Sequence, residues 1–541
     1  IIAKSTGNTR FFITTNSFSG VERKLHSKAT AIDLIDKIEL NKASRKIDQV
    51  IVWQNEYLTR YHREVANVSK VQRVMLSDFQ KSTTTLTSFK QPKTAWLEQT
   101  YIVQCTPQNS DNLFIDSVWM DSPVHKPGQS CKVNFRVKNV GLSDAKDVPV
   151  TVLFDGKTRM TNLSINARSS ATSHMFFTPN NPGNIEGKIS VSDRNITFDD
   201  EFYFTNELAK EGRIVIVNGE SGELSTEKVF RTESFYSTET CSEFAFNKRL
   251  LRDADLLILN GINELPSGLI ADISSFLMQG GSVFCIPGSD INYGDYTQLL
   301  KRVGLPGYSG KVTNGNQLSE ISYASKFFNG MFDKQQKTLN IPLLKSVYSM
   351  KNFRQANAEV LLTLRNQQPL MLSVKQEGTF YLLSTDLSKA NGGFTANALF
   401  PSILLRSAEL SLRALPPYFT IGAAGVLELP SNTNQEAPLT LNSKSNSFIP
   451  KQINTDGIVR LQLNQPELNE RLSEGYYAIK STNVLGKIAF NLNRDESQTD
   501  LFTVEGLENQ FNQAGFSDIK VQAMSSGNSS FELDMEKPNS F

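Results

Sequence analysis

The sequence predicts a multidomain chain in which α/β units alternate with all-β units, and three observations carry that reading. Residues 213–218 (RIVIVN) and 255–260 (DLLILN) are short apolar runs that stop at Gly219 and Gly261, as buried parallel strands do. Residues 112–205 change period: Val133, Phe135 and Val137, then Val148, Val150, Val152 and Phe154, alternate with other positions, the pattern of a β-sandwich. The length of 541 residues corresponds to about four domains at roughly 150 residues each.

Within the central unit, Leu269, Ile270, Ile273, Phe276 and Leu277 recur at helical spacing between Ser267, read as an N-cap, and the stop Gly280-Gly281. A third apolar run, 283–286, ends at Pro287-Gly288. Strand, helix and strand of these lengths make a right-handed crossover, and ligands sit at the carboxyl ends of such strands. The expected crevice therefore lies beside Gly219, Gly261 and Gly288, with Glu220, Asn260 and Ser289 as its candidate binding residues.

Residues 254–289 resemble the central part of class I glutamine amidotransferase-like domains, which implies a flavodoxin-like α/β fold. The resemblance also implies a Gly-x-Cys-x-Gly elbow after the third strand and a later histidine as base. Here the elbow reads Cys285-Ile286-Pro287-Gly288-Ser289, so Pro287 occupies the nucleophile position and no catalytic residue is assigned. All four histidines, His26, His62, His125 and His174, precede Arg213. A thiol without a neighbouring base or cation is a poor nucleophile, and Cys285 reads as a small buried hydrophobe.

Composition narrows the field further. With 39% hydrophobic and 21% charged residues the chain is of ordinary globular type. Lys and Arg number 56 against 55 Asp and Glu, so no global field points to nucleic acid or anionic lipid, and only a local basic patch stays open. Cys105, Cys131, Cys241 and Cys285 have no C-x-x-C spacing, which argues against a zinc site and a disulfide framework. No apolar run of about 18 residues occurs. The chain starts at Ile1 without a Met, and the expectation is a piece of a longer protein whose membrane anchors lie outside it.

Taken in order, residues 10–15 (RFFITT) read as a strand followed by the polar turn Asn16-Ser17-Phe18-Ser19-Gly20. Ser27 and Ser44 read as caps of two helices, one carrying Ala31, Leu34, Ile35 and Ile38, the other Ile47, Val50, Ile51 and Leu58. Strands follow at 71–76 and 101–105. This helix pair and the strand ending in Ser77-Asp78 resemble the later part of a von Willebrand factor A domain. That family holds a divalent cation with an Asp-x-Ser-x-Ser loop and a late aspartate, to which Asp78 corresponds. Thr15-Asn16-Ser17-Phe18-Ser19 has both serines but threonine in the aspartate's place. Residues 10–15 are read as that fold's second strand, and Mg²⁺, which suits hard oxygen ligands, is expected only if an upstream strand completes the site.

In the sandwich, Val137-Lys138-Asn139-Val140-Gly141 resembles CARDB-type adhesion modules, which are immunoglobulin-like. After the central unit, strands at 360–364, 370–374 and 379–384 and a helix at about 395–413 continue the α/β pattern. From Tyr418 the composition turns to Asn, Ser, Thr and Gln. Alternation at Val459, Leu461 and Leu463 and runs at 476–479 and 487–492 predict a second sandwich, followed by a helix at 505–514, a strand at 518–522 and a polar tail. The expected divisions are 1–108, 109–207, 208–417 and 418–541.

The order of parts, with Ser77-Asp78-Phe79-Gln80-Lys81-Ser82, residues 378–387, Ala489-Phe490-Asn491 and Glu496-Ser497, resembles BatA-domain-containing envelope proteins of Bacteroidetes-type bacteria. The resemblance implies a periplasmic, membrane-anchored region that binds other envelope proteins. Two functions follow as expectations. One is a non-enzymatic scaffold without a cofactor. The other is a small-ligand sensor or atypical hydrolase that enlists Glu220, Ser221, Asn260, Ser289 and Asp290 in the crevice.

Overall fold

The computed structural model describes residues 2–524, apart from 6–7, 19–21, 23, 40–43, 65–70, 108–110, 123, 194–195, 315, 330, 333–342, 354–356, 414, 424, 431–436, 456–457 and 470. The polar tail and the loop at 431–435 lie outside the described residues, as do Ser19 and Gly20 of the first turn. The molecule is multidomain, with mixed α/β sheets and several all-β sheets.

The first unit contains helices α1 (Lys28–Asp36) and α2 (Ile47–Glu64) and the parallel strands β1 (Val71–Ser77) and β2 (Leu97–Cys105). Ser27 does cap α1, accepting from the Thr30 amide. Ser44 does not cap α2; its hydroxyl donates to Glu496 Oε1 at 3.0 Å instead. Residues 10–15 are not a strand, because only Phe11 pairs, in an isolated bridge to His26. β1 and β2 pair with each other and not with this run.

The third strand of this sheet is Ile519–Met524, which pairs in parallel with β2. Its helix, Val504–Gln513, is capped by Thr503 and sends Leu507 and Phe511 into one core with Ile51, Met75 and Ile102. The expected division at 418–541 is corrected accordingly: the last helix and strand belong with the first unit, and the intervening domains are inserted in it. Helix and strand patterns reveal their own periods but not which distant sheet will bury them.

The second unit is a sandwich of a three-stranded sheet (Leu113–Met120, Cys131–Asn139, Ser169–Phe177) on a four-stranded one (Lys157–Ile165, Ala145–Phe154, Gly183–Val191, Glu201–Leu208). The alternating residues Val133, Phe135, Val137, Val150, Val152 and Phe154 are all fully buried in its core. Asn139 secures the predicted turn: its amide nitrogen donates to Ser143 O at 2.9 Å and its oxygen accepts from Gly141 N at 2.9 Å.

The third unit is built on an eight-stranded sheet. Gly212–Asn218 pairs in parallel with Tyr236–Ser242 and Leu256–Ile262, the latter with Ser282–Pro287, and that strand with Thr379–Leu383. Pro369–Lys375, Glu359–Leu364 and Leu318–Ile321 then add antiparallel strands. The helix Ser267–Met278 buries the five predicted apolar residues. Ser267 is its first residue and not its cap, since Pro266 holds the cap position without a side-chain bond. Helix Leu399–Ser411 packs on the opposite face, with Pro401 in its first turn, where a missing amide costs nothing. The fourth unit encloses one apolar core between a five-stranded and a three-stranded sheet.

Candidate functional site

Gly219 and Gly288 follow their strands directly and Gly261 is the last residue but one of its strand, and each is packed against a neighbouring loop. A Cβ on Gly219 would collide with the Gly261 carbonyl, and one on Gly288 with the Asn263 amide oxygen. Gly261 has φ +70°, and its Cβ would come within 2.5 Å of the Ser221 backbone. Glycine is required here because the loops interlock backbone to backbone. That interlock brings the loops after the three strands into direct contact.

Asn260 belongs to the same lock. It is 1% exposed, its nitrogen donates to Asn218 Oδ1 at 2.7 Å and Glu223 O at 3.1 Å, and its oxygen accepts from Thr226 at 3.1 Å. A side chain so engaged has little left to offer a ligand. Glu220 and Ser289 remain exposed on the rim. Ser289 Oγ lies 3.0 Å from Ser221 Oγ, which also receives Asn263 Nδ2 at 3.3 Å, and Lys311 donates to the Ser289 carbonyl. Burial raises the Glu243 carboxyl, and the nearby Glu220 and Glu264 raise it further, so the rim gathers carboxylates. Cys285 is fully buried mid-strand with its thiol pushed up to about 12 by burial. Pro287 ends that strand. Among the described residues no histidine lies at this rim, and its titratable groups include carboxylates and Lys311.

Asp78 sits at the carboxyl end of β1, before Phe79, whose backbone takes φ +54°. Its carboxylate accepts from Ser77 Oγ at 3.2 Å. The Thr15–Ser17 loop does not join it. Instead Glu22, a residue the sequence reading missed, is 7% exposed and accepts from Thr15 Oγ1 at 2.7 Å and Ser17 Oγ at 2.5 Å. Those hydroxyls are thus spent on a carboxylate. Among the described residues no group of three or more His, Cys, Asp or Glu could hold a metal ion, and the residues around Asp78 do not fit Mg²⁺.

What the loop after β1 does instead is fasten the units together. Lys81 N donates to Asp500 O at 2.8 Å, Gln80 Nε2 to Glu496 O at 3.2 Å, Ser82 Oγ to Asp495 O at 2.8 Å, and Phe502 N to Phe79 O at 3.2 Å. On the same segment Asn491 makes a reciprocal pair with the Tyr203 backbone, at 2.7 and 2.8 Å. Asn112, 1% exposed, donates to Asp199 Oδ2 at 2.8 Å and Ser497 O at 3.1 Å. Arg494 donates to Glu201 O at 2.6 Å. The phrases Ser77–Ser82, Asn491 and Glu496-Ser497, which carry no chemistry in sequence, meet in one buried polar junction. Burial raises the Glu496 carboxyl, the Ser44 bond lowers it, and the charges of Asp78 and Asp495 raise it.

The histidines are engaged or peripheral. His125, 5% exposed, lies 3.2 Å from Asn206 Nδ2 through Nδ1, and burial lowers its pKa. His174 is exposed and edge-on to Phe176 at 5.2 Å.

No protein-family model matches this chain, and no curated protein does. Solved structures with similar parts include the CARDB domain of the PF1109 protein from Pyrococcus furiosus, at 14% identity and TM-score 0.17, over 18% of this chain and 89% of that one. A thua-like protein from Bacteroides uniformis is similar at 12% identity and TM-score 0.31, over 38% of this chain and 94% of that one. Likenesses this weak carry no argument about function.

Proposed function

We propose that this chain is a non-enzymatic, extracytoplasmic scaffold of a membrane-anchored envelope protein, built from a von Willebrand A-like unit, a CARDB-like sandwich, a degenerate class I glutamine amidotransferase-like unit and a second sandwich. The observation that carries this reading is the interlock of Gly219, Gly261 and Gly288, which ties the strand-end loops to one another and engages Asn260 within the fold. The buried junction around Asn491 and Glu496 supports it, because a scaffold must hold its units in fixed relation. Periplasmic placement and other envelope proteins as partners follow from the BatA-like order of parts.

The test is a turnover screen with glutamine, amides, activated esters and aryl glycosides, run beside Ser221→Ala and Ser289→Ala. The scaffold reading expects the same background rate from all three proteins. Turnover lost in either variant overturns it and favours a hydrolase acting on the rim.

A further inference from the structure

Near-neutral net charge hides one local imbalance. Along α2, Arg60 and Arg63 face Lys90 across a groove of about 560 Å³, and Glu56 is the single acid in its lining. None of the three cations makes an ion pair among the described residues: Lys90 donates to the neutral Gln513 carbonyl at 2.6 Å, and Arg60 lies 5.7 Å from the Tyr57 ring. Beneath it Asn55, 7% exposed, accepts through its oxygen from Arg73 and donates through its nitrogen to Gln91. Arg73 is itself only 5% exposed, and one of its terminal nitrogens is buried without a partner. Burial without a neighbouring carboxylate pulls its pKa down to about 10. A buried cation that lacks a counter-charge is costly, so this wall carries an excess of positive charge, with three cations against Glu56 in the lining and Arg73 beneath.

The groove is also apolar in part. Val52 is 41% exposed on α2, opposite Phe89 and Pro92, which is an unfavourable surface to leave against water. From Val52 to Arg63 the helix rises about 17 Å at 1.5 Å per residue. An extended segment of about five residues spans the same distance.

We propose that this groove docks an extended acidic segment of a partner protein, one apolar side chain seated between Val52, Phe89 and Pro92, its carboxylates facing Arg60, Arg63 and Lys90. The inference rests on the scaffold reading only in expecting a partner.

The test is fluorescence anisotropy with three labelled pentapeptides, Asp-Glu-Phe-Glu-Asp, Asp-Glu-Gly-Glu-Asp and Lys-Lys-Phe-Lys-Lys. The first is expected to bind about tenfold more tightly than the second, for the loss of its apolar anchor, and the third not to bind. Affinity falls about tenfold or more between about 50 mM and 0.5 M salt. Arg60→Glu with Arg63→Glu, both exposed, abolishes binding, while the control pair Lys146→Glu and Lys157→Glu on the distant sandwich leaves it unchanged. Equal binding by the groove variant and its control overturns the proposal. So does equal binding of the Phe and Gly peptides with displacement by millimolar inorganic phosphate, which marks a simple anion site. Either failure leaves the turnover screen, and with it the scaffold reading, untouched.

Discussion

Two regions of this molecule are closed, and they are closed by opposite means. At the strand ends of the third unit, closure comes from atoms that are missing: Gly219, Gly261 and Gly288 let three loops touch backbone to backbone. At the junction of Ser77–Ser82 with 491–502, it comes from side chains that are present, since Gln80, Ser82, Asn491 and Arg494 reach carbonyls of other units. Glycine at a strand end is usually read as space for a ligand. Here it marks where loops of the protein meet each other, while plain polar phrases hold the architecture.

Substitutions can break this contrast, the most severe first. Gly261→Ala forces a Cβ into Ser221 at a left-handed φ, and a loss of about 3 kcal/mol or more in urea unfolding is expected. Tolerance of that change within about 0.5 kcal/mol would mean the loops can part, and the crevice would be open to ligands after all. Asn491→Ala strands the Tyr203 amide and carbonyl, and a loss of about 2 kcal/mol is expected, with faster hydrogen exchange at Tyr203. Ser289→Ala, on the rim, stays within about 0.5 kcal/mol; the comparison fails if it costs as much as Asn491→Ala.

A pH series sharpens the same point at His125. Burial lowers its pKa in the fold, and nearby Glu409 and Asp121 only partly oppose this. A base with a depressed folded pKa stabilises above its unfolded value and loses that contribution as pH falls through the folded one. The unfolding midpoint should therefore drop on going from about pH 7 to about pH 5, and His125→Gln should flatten the drop. The smallest expected effect is that of Asp78→Ala, within about 0.5 kcal/mol, with Mg²⁺ at about 5 mM leaving the midpoint of both proteins unchanged. A Mg²⁺-dependent rise confined to the unsubstituted protein would restore Asp78 as a ligand.

Much of the fold was legible because burial imposes a period. The strands before Gly219 and through Pro287, the strand from Leu256 that runs past the expected stop at Gly261 to Ile262, the helix after Pro266 and the alternation in the first sandwich all follow from which residues must leave water. Ser44 and Ser267 fit a cap motif but had other fates, because a hydroxyl takes whichever partner the tertiary fold brings, and Glu496 is more than four hundred residues away from Ser44. Glu22 as the carboxylate that closes the Thr15–Ser17 loop, and Ile519–Met524 as the third strand of the first sheet, are long-range or irregular pairings that leave no periodic trace. The three glycines lie at or next to strand ends, yet how their loops interlock depends on distances between loops, which spacing does not encode.

The return of Ile519–Met524 to β2 also sets a schedule. Synthesis at 5–20 residues per second delivers that strand roughly 400 residues after β2, a delay of about 20 to 80 seconds. Through that interval β2 has hydrogen-bonding groups on one side with nothing to meet them, and Ile51, Met75 and Ile102 lack the cover of Leu507 and Phe511. An open strand edge of this kind invites pairing with a neighbouring nascent chain. The inserted domains can mature while the first unit waits, so the earliest part of the sequence is among the last to become a finished structure.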